Sequence, residues 1–491
     1  MRSRHIRLML ATAVATAATG GLLGVAAGPS VAADAVLHHE ADFNHDGVGD
    51  VAFAAGYATV SGHANAGQIV VLYGARNGLD KAHRSTFSQD SPGVPGGAEA
   101  GDGFGWSSAY GDFDHDGFDD LAVGAEYEDV DGDKDGGLVQ ILWGSASGLS
   151  GGTTVTDPAP GAHDLWGRSL AAGDFDGDGK DDLAVSSSGA SAYVFKGGTT
   201  KSATLGGRYS FKPPVQSTSS DPYSNGLLTL IAGDVNGDGR SDLVVDGFET
   251  ETVNAWNKNF YIPGTASGLN GANAVGLTPG VITDIGDVNH DGFGDIVTGN
   301  YWDKASGVPG ATDGGKVAIT YGSANGPATS STITQNSGSV PGASEKGDAF
   351  GGELSLGDIN GDLYLDLVVA SDGEDIDGVA DAGSVTVLYG SARGIDTTSG
   401  IQYFSQNTAG VPGADEKEDR FGSEVKLTDV TGDGRADLTI GSMGENAYDG
   451  QLTYLPSSGT KLTTSGSRYF MAPDVGVSTA GQPTLGGNAA N

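Results

Sequence analysis

Residues 104–125 read Phe104-Gly105-Trp106-Ser107-Ser108-Ala109-Tyr110-Gly111-Asp112-Phe113-Asp114-His115-Asp116-Gly117-Phe118-Asp119-Asp120-Leu121-Ala122-Val123-Gly124-Ala125. Three parts follow one another. An aromatic–Gly pair stands eight residues ahead of an aspartate. An acidic loop follows, Asp-x-Asp-x-Asp-Gly-x-x-Asp. A short apolar run then ends at Gly124. Side chains at positions one, three and five of such a tight loop point to the same side. Gly at position six permits the sharp turn, and the apolar run has the length and composition of a strand.

The loop recurs six more times. Its side-chain oxygens at positions one, three, five and nine are Asp42, Asn44, Asp46 and Asp50; Asp112, Asp114, Asp116 and Asp120; Asp174, Asp176, Asp178 and Asp182; Asp234, Asn236, Asp238 and Asp242; Asp287, Asn289, Asp291 and Asp295; Asp358, Asn360, Asp362 and Asp366; and Asp429, Thr431, Asp433 and Asp437. Calcium takes six to eight hard oxygens in flexible geometry, and carboxylates and amides at this spacing are its ligand set. Position seven can add a backbone carbonyl whatever its side chain, which suits the mixture Val48, Phe118, Lys180, Arg240, Phe293, Tyr364 and Arg435. Position nine is expected to close the site as the chain enters a strand. Up to seven structural Ca²⁺ ions are therefore expected. The sixth loop has Leu363 in place of Gly, and the seventh has Thr431 in place of an acid or amide, so these two are imperfect. An EF-hand needs Glu at position twelve and a helix after it. Here position twelve is Phe53, Val123, Val185, Val245, Thr298, Val369 or Ile440, each inside an expected strand.

The frame around the loop repeats as well. Aromatic–Gly pairs recur at Trp166-Gly167, Phe350-Gly351 and Phe421-Gly422, and the fifth copy has Pro279-Gly280. After each loop come two apolar runs with Gly stops, such as Leu121–Val123 and Val139–Trp143, then a weaker segment such as Thr86–Gln89. These runs of four to six residues are rich in Val, Ile, Leu and Tyr and bounded by Gly and Asp, so they predict strands. No window shows sustained helical periodicity. A unit of about four short strands is one propeller blade, and seven units can close a ring that leaves no unprotected end face. The predicted fold is all-β, a single seven-bladed β-propeller over residues 34–476 with loops 42–50, 112–120, 174–182, 234–242, 287–295, 358–366 and 429–437 between first and second strands. Ser467–Phe470 aligns with the fourth strand of earlier units, so the last blade looks complete and closure need not borrow a strand. Residues 477–491, rich in Gly, Ala and Thr, read as a flexible tail.

The set from Phe104-Gly105 through the loop to Asp120-Leu121-Ala122-Val123-Gly124-Ala125 resembles the FG-GAP repeat, found in the propeller of integrin α-subunits and in secreted bacterial proteins. The resemblance covers roughly residues 36–476. It implies a seven-bladed propeller with calcium in the hairpin loops between first and second strands. It carries over no ligand-binding or subunit-contact residue of integrins, because nothing in this chain marks them.

The amino terminus reads as a signal peptide, residues 1–33: Arg2, Arg4 and Arg7, an uncharged apolar stretch, then Val31-Ala32-Ala33 as a cleavage site. Export, release from the cell or loose wall association, and a mature chain without a transmembrane segment are expected. There is no Cys, so neither disulfides nor a lipidated Cys can contribute. The formal charge of −38 opposes nucleic-acid binding. The seven nine-residue loops hold 25 of the 63 acids, which would repel one another without a counter-ion. Metal is thus expected to staple the fold.

Catalysis would need residues that depart from the repeat. There is no HExxH motif and no GxSxG nucleophile elbow, which needs a strand-to-helix turn, and His45, His115 and His290 all fall at position four of loops. The reading is a non-catalytic, monomeric recognition or adhesion module for an extracellular protein or glycan. The alternative is a secreted hydrolase or polysaccharide lyase that uses the propeller as scaffold, with His163 and Arg168, or Tyr223, beside the channel mouth. Tyr127, Trp256, Tyr261, Tyr301 and Trp302 could stack on sugar rings. The acidic stretches 129–135 and 374–381 read as solvated loops, or as a second cation or ligand contact.

Overall fold

In the computed structural model, residues 40–201, 207–218 and 225–491 are described. The signal peptide read at 1–33, and Tyr223, lie outside them. The described residues form seven antiparallel sheets, each a meander in which consecutive strands pair. Blade 2 shows the plan: Ser107–Gly111, Asp120–Ala125, Leu138–Trp143 and Ser150–Val155, with Leu121 opposite Leu142 and Val123 opposite Gln140. The second and third strands bury nearly every residue, because both faces of a blade are covered by its neighbours. First strands of consecutive blades touch from Ser107–Gly111 round to Phe421–Thr428.

The core is accordingly divided. One apolar cluster joins blades 1 and 2 through Phe43, Phe104, Tyr110 and Leu121. Another joins blades 6 and 7 through Ile359, Val385, Phe421 and Leu438. The aromatic of each aromatic–Gly pair is an inter-blade wedge: Phe104, Phe350 and Phe421 are fully buried and Trp166 nearly so. A second wedge sits at loop position two, where Phe43, Phe113, Phe175, Val235, Val288, Ile359 and Val430 are all buried. Each such side chain contributes on the order of 1.5–3 kcal/mol of burial.

Two expectations fail at the carboxyl end. Residues 477–491 are not a flexible tail, and closure does borrow a strand. Blade 1 has only Val51–Ala55, Gln68–Leu72 and Arg84–Phe87 of its own. Its innermost position is filled by residues 486–491, which run antiparallel to Val51–Ala55. Gly486 N donates to Ala54 O at 3.1 Å, Ala54 N to Asn488 O at 2.8 Å and Ala490 N to Ala52 O at 3.0 Å. The segment also bonds both neighbouring blades: Tyr110 N donates to Asn491 O at 3.1 Å, and Ser423 Oγ to Gly486 O at 3.0 Å.

The physical reason is that Leu485-Gly486 is the missing aromatic–Gly pair of the first copy. Leu485 is fully buried and bridges Gly450, as Trp166 bridges Gly137 and Phe350 bridges Gly315. Gly486 adopts φ +86°, like Gly105 at +95° and Gly351 at +89°, and a Cβ there would meet Gly441 Cα at 2.9 Å. The first repeat is therefore split between the two ends of the chain. Leu485→Ala is expected to cost about 3 kcal/mol in urea unfolding, the usual cost of truncating a buried Leu. An unchanged midpoint would show that the terminal segment does not close the ring.

Candidate functional site

Each acidic loop starts where a first strand ends, and the aspartate at position one organises it. Its two oxygens accept the amides of positions five and six in all seven copies. For Asp112 these are Asp116 N and Gly117 N, both at 2.9 Å. The imperfect sixth loop keeps the geometry: Asp362 N and Leu363 N donate to Asp358 at 3.2 and 2.9 Å. To do so Leu363 takes φ +73°, a conformation that favours Gly, and its side chain stands out in solvent. The seventh loop is the same at Asp429. Position five then accepts the position-seven amide, as in Val48 N to Asp46 at 3.1 Å.

Position nine has a role that spacing alone did not reveal. Its carboxylate is buried and ties two separate pieces of backbone. In Asp50 one oxygen accepts Phe43 N at 3.0 Å and the other Gly74 N at 2.9 Å. Asp120, Asp242, Asp295 and Asp366 repeat this pair of bonds. Asp182 and Asp437 keep the second tie, to Gly197 N and Ser457 N. The Gly that ends the second apolar run is required here, since a Cβ at Gly74 would lie 2.2 Å from Gly49 O. That Gly stop was the sequence signal for the tie. Burial pushes Asp50, Asp120 and Asp366 up to about 8, and Asp182, Asp242, Asp295 and Asp437 to about 7, despite the amides that favour the charged form.

The loops also bond one another round the ring. At six junctions the position-eight amide of one blade donates to the position-one carbonyl of the blade before it. Examples are Ser241 to Asp174 at 2.9 Å, Ala436 to Asp358 at 2.8 Å and, across the closure, Gly49 to Asp429 at 2.9 Å. At the junction of blades 2 and 3 Asp112 N donates to the Asp181 carboxylate at 3.0 Å, as Asp42 N does to Asp119 at 2.7 Å between blades 1 and 2.

A divalent cation fits these loops on the state of their oxygens. Asp114 Oδ1, Asn236 Oδ1, Asn289 Oδ1 and Asn360 Oδ1, all at position three, are buried with no hydrogen-bond partner, and so is Asp182 Oδ2. Leaving a buried acceptor unsatisfied costs on the order of 1–3 kcal/mol, and a hard cation is what satisfies several of them at once. Two trios of carboxylates have oxygens within 4.8 Å of one another, Asp112–Asp114–Asp116 and Asp174–Asp176–Asp182. These are the two loops with Asp at position three. No other trio among the described residues converges in this way. The same two loops hold an ammonium: Lys201 Nζ lies 2.7 Å from Asp116 and 3.4 Å from Asp114, and Lys196 pairs with Asp176.

The residues considered for catalysis are not brought together. His163 stacks on Trp166 at 5.8 Å with its Nε2 3.5 Å from Asp157. Arg168 instead faces an axial cavity and lies 3.9 Å from Glu126. That cavity, of about 690 Å³, is lined by the first strands of the blades and by Tyr127, Tyr301 and Trp302. Tyr261 is a core residue that donates to Asp242 at 2.9 Å. The stretches 129–135 and 374–381 form matching hairpins closed by Asp135 N to Asp129 and Asp381 N to Asp375, each 2.9 Å. Glu374 is engaged by Gln335 at 2.6 Å, as Glu128 is by Gln89 at 2.7 Å.

The FG-GAP repeat family matches residues 104–142, 166–203, 350–388 and 421–455. Mouse phosphatidylinositol-glycan-specific phospholipase D is 30% identical over 233 residues, 47% of this chain and 26% of that protein. Integrin alpha-PS2 of Drosophila melanogaster is 30% identical over 269 residues, 54% of this chain and 15% of that protein. The matched stretch is thus about a quarter or less of each relative's length. Among solved structures, the Dos1 propeller is similar at a TM-score of 0.43 and 11% identity, covering 81% of this chain and 80% of that one.

The position-nine carboxyls contribute to the pH response of the protein in excess chelator, and buried acids such as Glu126 and Glu374 are shifted the same way. Their folded values stand above the unfolded value near 4, so the folded chain holds more protons between these limits and stability falls as pH rises there. The melting temperature is expected to drop from pH 5 to pH 8 and to level off above. A profile that rises over this range would contradict the burial of these groups as free acids.

Proposed function

Because this chain is an integrin-like FG-GAP repeat propeller, we propose that it is a secreted, calcium-stapled module for extracellular recognition or adhesion. The observation that carries the calcium reading is the set of buried, unpartnered position-three oxygens, each in a loop already shaped by its position-one aspartate. Positions one, three and five supply the side-chain ligands, position seven its carbonyl, and position nine its remaining lone pairs. Bound calcium supplies the positive charge that lets these acids ionise together. The targeting segment at 1–33 supports export, and mass analysis of protein from the culture medium should find the mature chain starting near Asp34. The integrin relatives support adhesion, on a surface away from the loops, since the loops are occupied in holding blades together.

A site held at ten times its dissociation constant adds about 1.4 kcal/mol, so seven independent sites add up to ~10 kcal/mol, comparable with the stability of a typical domain. Metal analysis is expected to find several calcium ions per chain, with a large fall in melting temperature on chelation. No bound calcium and no shift would overturn the staple.

The ammonium groups in loops 2 and 3 lead to a finer expectation. Replacing Lys196 and Lys201 with Met removes a counter-charge that competes with metal. The double variant should melt lower than the parent in chelator and bind calcium more tightly at two sites in a calorimetric titration. Unchanged isotherms would show that these lysines do not compete.

A further inference from the structure

The axial cavity breaks the sevenfold pattern of its own wall. Where blades 2 and 3 have Ser107 and Ser169 at one register of the first strand, blades 6 and 7 have Glu353 and Glu424. All four residues line the cavity. Glu424 is buried, with its oxygens accepting Val425 N and Ala489 N, both at 3.0 Å. No described residue hydrogen-bonds the Glu353 carboxyl. Burial and the nearby Glu424 and Asp372 carboxylates push it well above the usual range. Nothing in the fold requires a glutamate there, since serine serves the same register elsewhere.

The rest of the wall constrains what could meet that carboxyl. Arg168 and Lys426 also line the cavity, so the wall carries both signs and presents no uniformly acidic surface to a cationic ligand. Asp284, Glu126, Glu353 and Glu424 stand on the same wall, so it presents no uniformly basic surface to an anion either. An apolar ligand would leave the carboxyls and amides unsatisfied, at a cost the cavity could not recover. A neutral polyol meets neither difficulty, because each hydroxyl both donates and accepts. Aromatic faces complete the set. Tyr301 packs on Trp302 at 5.1 Å and is partly exposed, and Trp106 packs on Tyr57 at 4.9 Å. Such rings offer flat apolar surface to the C–H face of a sugar at low entropic cost. The volume, about 690 Å³, lies within the range of small-molecule sites.

We infer that the axial cavity binds the end of a neutral oligosaccharide, with Glu353 accepting from sugar hydroxyls and the Tyr301–Trp302 pair stacking on a ring. This rests on the recognition reading above and gives it a ligand class and a site. The site lies on first strands, whereas the acidic loops lie beyond the opposite ends of those strands, so ligand and metal are held by different parts of each blade.

The test is saturation-transfer NMR and calorimetry on the purified protein in millimolar calcium. The probes are cellobiose, xylobiose, maltose and chitobiose, beside digalacturonate as an anion and tetralysine as a cation. At least one neutral disaccharide should bind. Glu353→Gln and Tyr301→Ala should each weaken it about tenfold, whereas Tyr469→Ala, at an exposed residue on the outer strand Arg468–Met471, should leave it unchanged. Tyr301→Ala keeps the test decisive should Glu353→Gln not fold. Binding that survives both cavity variants, binding only of digalacturonate or tetralysine, or no binding of any probe would overturn the proposal. Capture of a protein ligand on an array of extracellular proteins, with no saccharide bound, would leave the recognition reading standing and remove only the sugar.

Discussion

A carboxylate with both oxygens committed to backbone amides pins the acidic loop to the strand pair that follows it. In each blade the position-nine aspartate joins the start of the acidic loop, the second strand it begins, and the end of the third strand. Asp50, Asp120, Asp242, Asp295 and Asp366 do this in full. When the carboxylate is ionised such a bond is charge-assisted and stronger than a neutral one, and breaking it would strand a buried acid. The loop shape, the apolar wedge at position two, and the contact between neighbouring loops all follow from where that carboxylate fixes the chain. The acids that look like metal ligands in the sequence are thus also the joints of the blade.

This division of labour separates the molecule into two ends. At one, the loops bond from blade to blade round the whole ring, and their chemistry must repeat because each must fit the next. At the other, where first strands begin, the repeat relaxes. Residues there can differ between blades at little cost to the fold, and it is there that Trp106, Arg168, Glu353, Glu424 and Lys426 gather round one cavity. A repeat architecture keeps its invariant parts and its specific parts apart because only the former are shared by every interface.

Much of this was legible in the sequence. Seven copies of one loop, with strands on either side of each, led to seven blades in the right order. The twelfth-position residues, all β-branched or apolar, pointed to strands rather than helices, and Leu363 stood out as the residue replacing Gly in its loop. What escaped notice had physical causes. Leu485-Gly486 was missed because Leu is not aromatic and because the pair sits at the far end of the chain from the loop it serves. The surrounding Gly, Ala and Thr look like a disordered tail, although small side chains are what a strand packed beside a crowded axis requires. The double tie at position nine was hidden because one aspartate can serve a cation or an amide, and spacing does not say which. The axial cavity could not be read because its residues come from all seven blades and no local pattern unites them.

The split first blade has a consequence for how the chain folds. Residues 42–87 supply three strands early in the chain, yet the strand that completes their sheet comes some 400 residues later. Until residues 486–491 arrive, the inner edge of Val51–Ala55 has no partner and the wedge cavity for Leu485 stays empty. Blades 2 to 7 can each form from local contacts, but the last contact has the longest loop to close and carries the highest contact order in the molecule. Assembly is therefore expected to proceed as a growing arc that becomes cooperative only at its final step, so that the ring behaves as one unit whose slowest event is the meeting of its two ends.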